Sequence, residues 1–261
     1  MKLITLLTDF SDNDGYPAVM KGVILGLAPD AQIIDLSHAI TPQDIRQAAR
    51  LLGRSAPYFP SGAVHLCVVD PGVGTERRGI IARLGSRFFI GPDNGLMTQL
   101  YRQALQEQTD IEIFTLENPS YQLSPVSRTF HGRDIFAPAA AHLVNGIPPS
   151  AFGRPVNDPV LLDLPLPEKT ADGWLGEVVS IDAFGNLACN FDAKHVAHPE
   201  TDIIRIKDRT INGLNRAFAD RRPGELCALL DSFGQLSICV VNGSAAEVLD
   251  AGVGEPVRLI E

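Results

Sequence analysis

The hydrophobic pattern of this chain changes character once, and that change limits what it can fold into. Up to Val144, short strand-like runs alternate with segments of helical period, as expected of a mostly parallel sheet flanked by helices. Strands are expected at residues 3–7, 32–36, 63–69, 79–84, 87–90 and 111–116. A helix is expected over 18–27, where Val19, Val23, Ile24 and Leu27 share a face. A second begins after Thr41, which is placed to cap it with Asp44 completing a capping box; Ile45, Ala48, Ala49, Leu51 and Leu52 form its apolar stripe. Two more are expected at 95–105 and 134–144. From 154 to 173 the texture breaks: Pro155, Pro159, Pro165 and Pro167 disfavour both helix and central strand. After Trp174 only short alternating or apolar runs remain, at 175–181, 187–191, 202–206, 225–230, 236–241 and 256–260, separated by Gly, Asn and Asp clusters. The reading is an α/β N-terminal domain over 1–154, a linker over 155–173 and an all-β, barrel-like C-terminal domain over 174–261.

The 261 residues carry 22 Lys and Arg against 31 Asp and Glu, a formal charge of −9. Such a surface has no general attraction for nucleic-acid phosphates or anionic lipid, so neither is an expected partner. No apolar stretch reaches the roughly 20 residues that span a bilayer. The apolar run before Thr8 is too short for a signal-peptide core, and a cytoplasmic protein is expected. Cys67, Cys189, Cys227 and Cys239 stand in apolar contexts without a CxxC pair, which points to buried thiols.

Polar residues that are costly to place fall at strand ends. Asp9 follows the first expected strand and Asp70 the third, and carboxyl ends of strands line the ligand crevice of open α/β sheets. The plainer alternative is that Asp9 and Asp14 cap the first helix and that Asp70-Pro71-Gly72 is a turn. The stretch Asp70-Pro71-Gly72-Val73-Gly74-Thr75-Glu76-Arg77-Arg78 matches neither GxxxxGK[ST] nor GxGxxG. Its arginines are either a solvated pair or, in the case of Arg77, a cation folded back onto Asp70. His131, in Thr129-Phe130-His131-Gly132-Arg133-Asp134, stands at a loop-to-helix junction that favours neutral imidazole, and taken alone it reads more simply as a histidine hydrogen-bonded to a turn than as a catalytic group. His195 and His198 have metal-like spacing but no neighbouring Cys, and no metal site is expected there. In the second half, Asp182-Ala183-Phe184-Gly185-Asn186 and Asn242-Gly243-Ser244-Ala245-Ala246 are turns. Phe184 and Asn186 suit a purine, or equally a core ring and a turn amide.

In order, Leu7-Thr8-Asp9-Phe10, Met20-Lys21-Gly22-Val23-Ile24, Val69-Asp70-Pro71-Gly72-Val73-Gly74, Pro92-Asp93-Asn94-Gly95-Leu96, the His131 segment and the two later turns form a set. That set resembles the S-adenosyl-L-methionine (SAM) hydroxide adenosyltransferases, adenosine-forming SAM hydrolases that share a fold with fluorinase and chlorinase. The resemblance runs nearly end to end. It implies an N-terminal α/β domain, a C-terminal β-barrel and a homotrimer with active sites between subunits. It also implies in-line attack of water or hydroxide on the 5′ carbon of SAM, giving adenosine and L-methionine. Residue by residue, the family's Asp-Arg-His triad falls on Asp70, Arg77 and His131, and its ribose-binding aspartate on Asp9. Asp14 matches a position near the methionine amino group, and Asp182 and Asn186 match positions at the methionine and base region, beside Phe184 as a candidate substrate contact. Ser232 falls near the methionine carboxylate, Ser244 and Ala245 near adenine.

The chemistry suits such a triad. A neutral thioether leaves from a sulfonium, so no general acid is needed, and the task is to supply and aim a nucleophile. A cation beside a buried water favours hydroxide, and His131 and Asp70 can orient it or accept its proton. No cofactor or metal is implied, and SAM is substrate. The rival within the fold is a halogenase, but Gly132 stands where fluorinase carries a fluoride-contacting serine, and Arg77 and His131 are present. A non-catalytic adenosine or SAM binder, and a metal-dependent hydrolase using Asp9, Asp70 and His131, are rivals of other classes.

Overall fold

A computed structural model describes residues 2–261. Its packing divides into two units, the first ending at Leu162 and the second spanning Asp163–Glu261. The first contains, in chain order, β1 (Leu3–Thr8), α1 (Tyr16–Leu27), β2 (Gln32–Ser37), α2 (Ile45–Ser55), β3 (Val64–Val68), β4 (Gly79–Leu84), β5 (Arg87–Pro92), α3 (Thr98–Gln106), β6 (Ile111–Thr115) and α4 (Ala137–Val144). The six-stranded sheet has the order β2-β1-β3-β5-β4-β6, and its pairs are parallel except the two made by β4. Side chains alternate across it, as a strand's period of two demands. Ile4, Leu6, Leu66 and Val68 meet α1 and α4 on one face, and Leu7, Cys67, Val69 and Phe89 meet α2 and α3 on the other. Gly53 lets the latter two helices touch, since a Cβ there would lie 2.5 Å from Gln99 Cβ.

Helix starts differ from the sequence expectations. Neither Asp9 nor Asp14 caps α1, which opens on Gly15 in the left-handed region with Pro17 in its first turn. The cap of α2 is Asp44, which accepts Gln47 N–H at 2.8 Å, and not Thr41. Gln43 at φ 68° separates Thr41 from the helix, and Thr41 N–H donates to Gln47 Oε1 instead. Before α4 the chain makes a π-helical turn over Gly132–Phe136.

The proline-rich segment divides between the units. Val156, Val160 and Leu162 donate backbone hydrogen bonds to Ile113, Asp93 and Thr98 of the first unit. The second unit contains β7 (Glu168–Thr170), β8 (Gly173–Ile181), β9 (Leu187–Asp192), β10 (Ile203–Ile206), β11 (Arg209–Asn212), β12 (Leu226–Leu230), β13 (Gln235–Val240), α5 (Ala245–Leu249) and β14 (Pro256–Ile260). Its antiparallel sheet runs β11-β10-β14-β8-β9-β13-β12, with β7 beside β8. The sheet curls because β8 pairs with β14 through Gly173–Glu177 and with β9 through Val178–Ile181. Val178, Phe191, Ile204, Ala228, Ile238 and Val257 fill the interior. β7, β11 and α5 were not expected: each is short, and β11 buries only Ile211.

The four cysteines are buried free thiols. Among the described residues no helix is long and apolar enough to cross a membrane.

His65 on β3 is fully buried and shares a 2.8 Å hydrogen bond with Thr5 Oγ1. Burial, aided by Arg87, pushes its pKa down to about 4. The unfolded chain therefore binds a proton there that the folded chain refuses, so stability falls as pH drops from 6.5 towards 4. His65→Gln, which keeps an amide at Thr5, is expected to lose about 2–3 kcal/mol less than the native chain between pH 7.5 and 4.5 in urea titrations.

Candidate active site

Parallel strands end at one edge of a sheet, and an antiparallel strand begins there. Asp9 follows β1 and Asp70 lies two residues beyond neighbouring β3, while the reversed β4 starts just after Arg77 and Arg78 at that same edge. The loop between β3 and β4 returns Arg77 onto Asp70. Arg77 Nε lies 2.9 and 3.0 Å from Asp70 Oδ1 and Oδ2, and Nη2 also donates to Oδ2. The two side chains are 12% and 5% exposed, so neither is a solvated charge. Arg77 Nη2 further donates to His131 Nδ1 at 2.8 Å, and the guanidinium rests 5.3 Å from the ring centre of Phe136.

The two glycines of the loop serve the protein's own atoms. Gly72 faces Arg77, whose Cγ would lie 3.2 Å from a Cβ there. Gly74 has φ 77°, and a Cβ would collide with Arg128 O. Arg78 is likewise bound, to buried Asp93 at 2.6 Å and to Asp158 at 2.7 Å, and it ties the start of β4 to the segment after α4. Sequence reasoning missed this second clamp, because nothing local links residues 78, 93 and 158.

His131 precedes the π-helical turn, a device frequent at functional sites. Asp134, 1% exposed, anchors that turn by accepting Ser127 N–H at 2.8 Å and Arg133 Nε at 2.6 Å. Because a guanidinium always donates, His131 Nδ1 accepts, and the ring proton resides on Nε2. Burial, then the Arg77 cation, lowers the His131 pKa and keeps the ring neutral. Phe10, beside Asp9, and Phe130, beside His131, meet edge-on at 5.9 Å, with Tyr16 5.1 Å from Phe130. The Asp9 carboxylate accepts Gln43 N–H at 2.8 Å. Asp14 is exposed in the turn before α1.

In the second unit, the β8–β9 turn closes on itself: Asp182 Oδ1 accepts the N–H groups of Phe184 and Asn186, and Oδ2 takes Asn186 Nδ2 at 2.8 Å. Phe184 is 78% exposed at its tip and is not a core ring. Gly185 abuts Ser244, which caps α5 by accepting Glu247 N–H at 3.1 Å. Ala245 is buried in the barrel core, so only its backbone can meet a ligand. Ser232 is exposed in the β12–β13 turn, at the start of β13, whereas Ser244 follows its end. His195 serves structure: its Nδ1 accepts Asp192 N–H, and its ring packs edge-on against Trp174. Among the described residues no group of three or more His, Cys, Asp or Glu is placed to hold a metal ion.

Two family models match the chain: the SAM hydroxide adenosyltransferase N-terminal domain over residues 4–153 and its C-terminal domain over 176–258. The chain belongs to the SAM hydroxide adenosyltransferase family. It is 40% identical over the full length of both chains to a Thermus thermophilus protein named (R)-S-adenosyl-L-methionine hydrolase. It is 29% identical to a Nocardia brasiliensis fluorinase, over 98% of this chain and 97% of that one. A crystal structure of an uncharacterized conserved protein from Thermotoga maritima superposes with a TM-score of 0.90 at 34% identity, covering 99% of this chain and all of that one.

This member of the family carries a tightly enclosed glycine after its histidine. A Cβ on Gly132 would lie 3.1 Å from Met20 Sδ, 3.2 Å from Phe130 and 3.5 Å from Phe10. Gly74→Ala is expected to destabilise the first unit by about 3 kcal/mol, through left-handed strain and the collision with Arg128, as read by thermal melting. In an NMR titration, His131 is expected to protonate below its ordinary pKa of about 6.5 and to stay neutral above it.

Proposed function

We propose that this protein hydrolyses SAM to adenosine and L-methionine. The carrying observation is that one largely buried guanidinium, Arg77, holds Asp70 and His131 together at the sheet edge where Asp9 follows β1. The names of full-length relatives at 33–40% identity support the same reading.

The reaction needs an oxygen nucleophile aligned with the breaking bond. The water oxygen bonds to the 5′ carbon as the carbon–sulfur bond breaks. Its electron pair goes to sulfur, which leaves as the uncharged thioether of methionine. The His131 tautomer assigns the roles: Nε2–H donates to the attacking oxygen and orients it, whereas Nδ1 is engaged by Arg77. Asp70 keeps acceptor capacity beyond the contacts to Arg77 and takes the proton that water loses. Because Asp70 offsets its charge, Arg77 acts chiefly as the holder of both partners. Asp9 accepts the ribose hydroxyls and so fixes the 5′ carbon. Alignment of this kind supplies several kcal/mol of barrier lowering. No cofactor enters this scheme.

Asp182, Phe184, Asn186, Ser232, Ser244 and the Ala245 backbone are assigned to methionine and adenine, with Asp14 at the methionine amino group. In this proposal the protein is a homotrimer whose sites lie between subunits, and it works in the cytoplasm. Hydrolysis is preferred over halogenation because Arg77 and His131 are both present and engaged with each other.

Chromatography after incubation with SAM and a chelator tests the proposal. Adenosine and methionine are expected in equal amounts, with the rate falling roughly 10²–10⁴-fold in Asp70→Ala and His131→Ala. Intact SAM would leave a binding protein, loss of activity on chelation would favour a metal-dependent hydrolase, and halide-dependent 5′-halo-adenosine at a matching rate would favour the halogenase.

A further inference from the structure

β1 carries two threonines that each face a buried histidine, and the pairs differ in where they lead. Thr5 meets His65 at the middle of the sheet, remote from the edge where the site residues gather. Thr8, the last residue of β1, has its Oγ1 2.8 Å from Nδ1 of His38, which is 5% exposed. Behind the ring, His38 Nε2 lies 3.1 Å from Asp35 Oδ1, off the line of a straight hydrogen bond, and Asp35 Oδ2 takes Lys21 Nζ at 2.5 Å. Burial acts to raise the Asp35 pKa, but Lys21 and His38 outweigh it and hold the carboxyl below its ordinary range. A carboxylate facing Nε2 favours the ring proton there, which leaves Nδ1 to accept the Thr8 hydroxyl. A lone pair of Thr8 Oγ1 then takes Phe10 N–H at 3.2 Å.

The main chain of the same residue completes the hold. His38 O accepts Ser11 N–H at 2.8 Å. Asp9 is therefore flanked by two attachments to His38, one through Thr8 and one through Ser11, while its carboxylate is met by the N–H of Gln43. Gln43 adopts φ 68°, a left-handed conformation uncommon outside glycine, and its N–H is directed at Asp9 from that conformation. None of these groups belongs to the Asp70–Arg77–His131 set.

We infer that His38, backed by Asp35 and Lys21, is a positioning residue that holds the loop of residues 8–11 so that the Asp9 carboxylate meets the ribose diol of SAM. This rests on the reading of Asp9 as the ribose-binding group. A carboxylate that accepts two hydroxyls must be set in both direction and distance, and a loop free to shift by an ångström would lose one of the two bonds.

The test is steady-state kinetics of the full chain with SAM and with its 2′-deoxy analogue. Asp9→Asn and His38→Ala are each expected to raise KM for SAM by about tenfold, with a smaller change in kcat. His38→Asn places an amide where Nδ1 stood and should bring KM back to within about threefold of the native value. Asp35→Asn, a half-exposed change that spares the core, should raise KM by about threefold. On the 2′-deoxy analogue, which has lost the diol, His38→Ala should change KM by less than about twofold. Equal losses on both substrates, or an unchanged KM for SAM in both His38→Ala and Asp35→Asn, would overturn the inference. Should His38→Ala fail to fold, Asp35→Asn carries the same comparison between the two substrates. An unchanged KM in Asp9→Asn would instead remove the ribose assignment, a result distinguishable from failure of the positioning role.

Discussion

A guanidinium drawn largely out of water needs a carboxylate beside it, and most of the site's architecture follows from meeting that need for Arg77. Its partner, Asp70, comes from the end of a parallel strand, so the arginine must reach the same edge by another route. The reversed β4 supplies the route, because an antiparallel strand begins where its neighbours end. The turn between them must be compact enough to fold the side chain back over seven residues, which is why a left-handed glycine and a second close-packed glycine stand in it. Removing one member of such a pair leaves the other charge stranded away from water, a cost of several kcal/mol.

The same cation governs the histidine. By donating to Nδ1, Arg77 fixes which nitrogen carries the proton, and burial keeps the ring uncharged. The π-helical turn, pinned by buried Asp134, sets the height from which the imidazole reaches the arginine. Phe10 and Phe130 join the loop of Asp9 to the loop of His131, and the missing side chain of Gly132 makes room for their rings. The first unit thus packs the loop of Asp9 and the Asp70–Arg77–His131 set together at one sheet edge.

Much of this was legible in the chain, and the parts that were not share a cause. Strand runs such as 79–84 and 256–260 coincide with observed strands because alternation and apolar content are local properties. The pattern after Thr41 fits a capping box equally well, and only the left-handed backbone of Gln43 moves the start of α2 to Asp44. β7 and β11 have too few buried side chains to leave a periodic trace, and neighbouring strands draw them into the sheet. Phe184, which reads equally as core or contact, is exposed. The contact between Thr8, at the end of β1, and His38, just beyond β2, joins side chains 30 residues apart, a relation that no spacing encodes.

By itself, the sequence determined the two-part architecture, since periodicity and proline placement act over a few residues, and it determined the family, since motifs in order are a linear property. Tertiary structure alone decided that Arg77 meets both Asp70 and His131, which nitrogen of that histidine is protonated, and that Arg78 belongs to a separate clamp. Those outcomes depend on strand direction and on the removal of water from charged groups, and both arise only when distant segments are packed together.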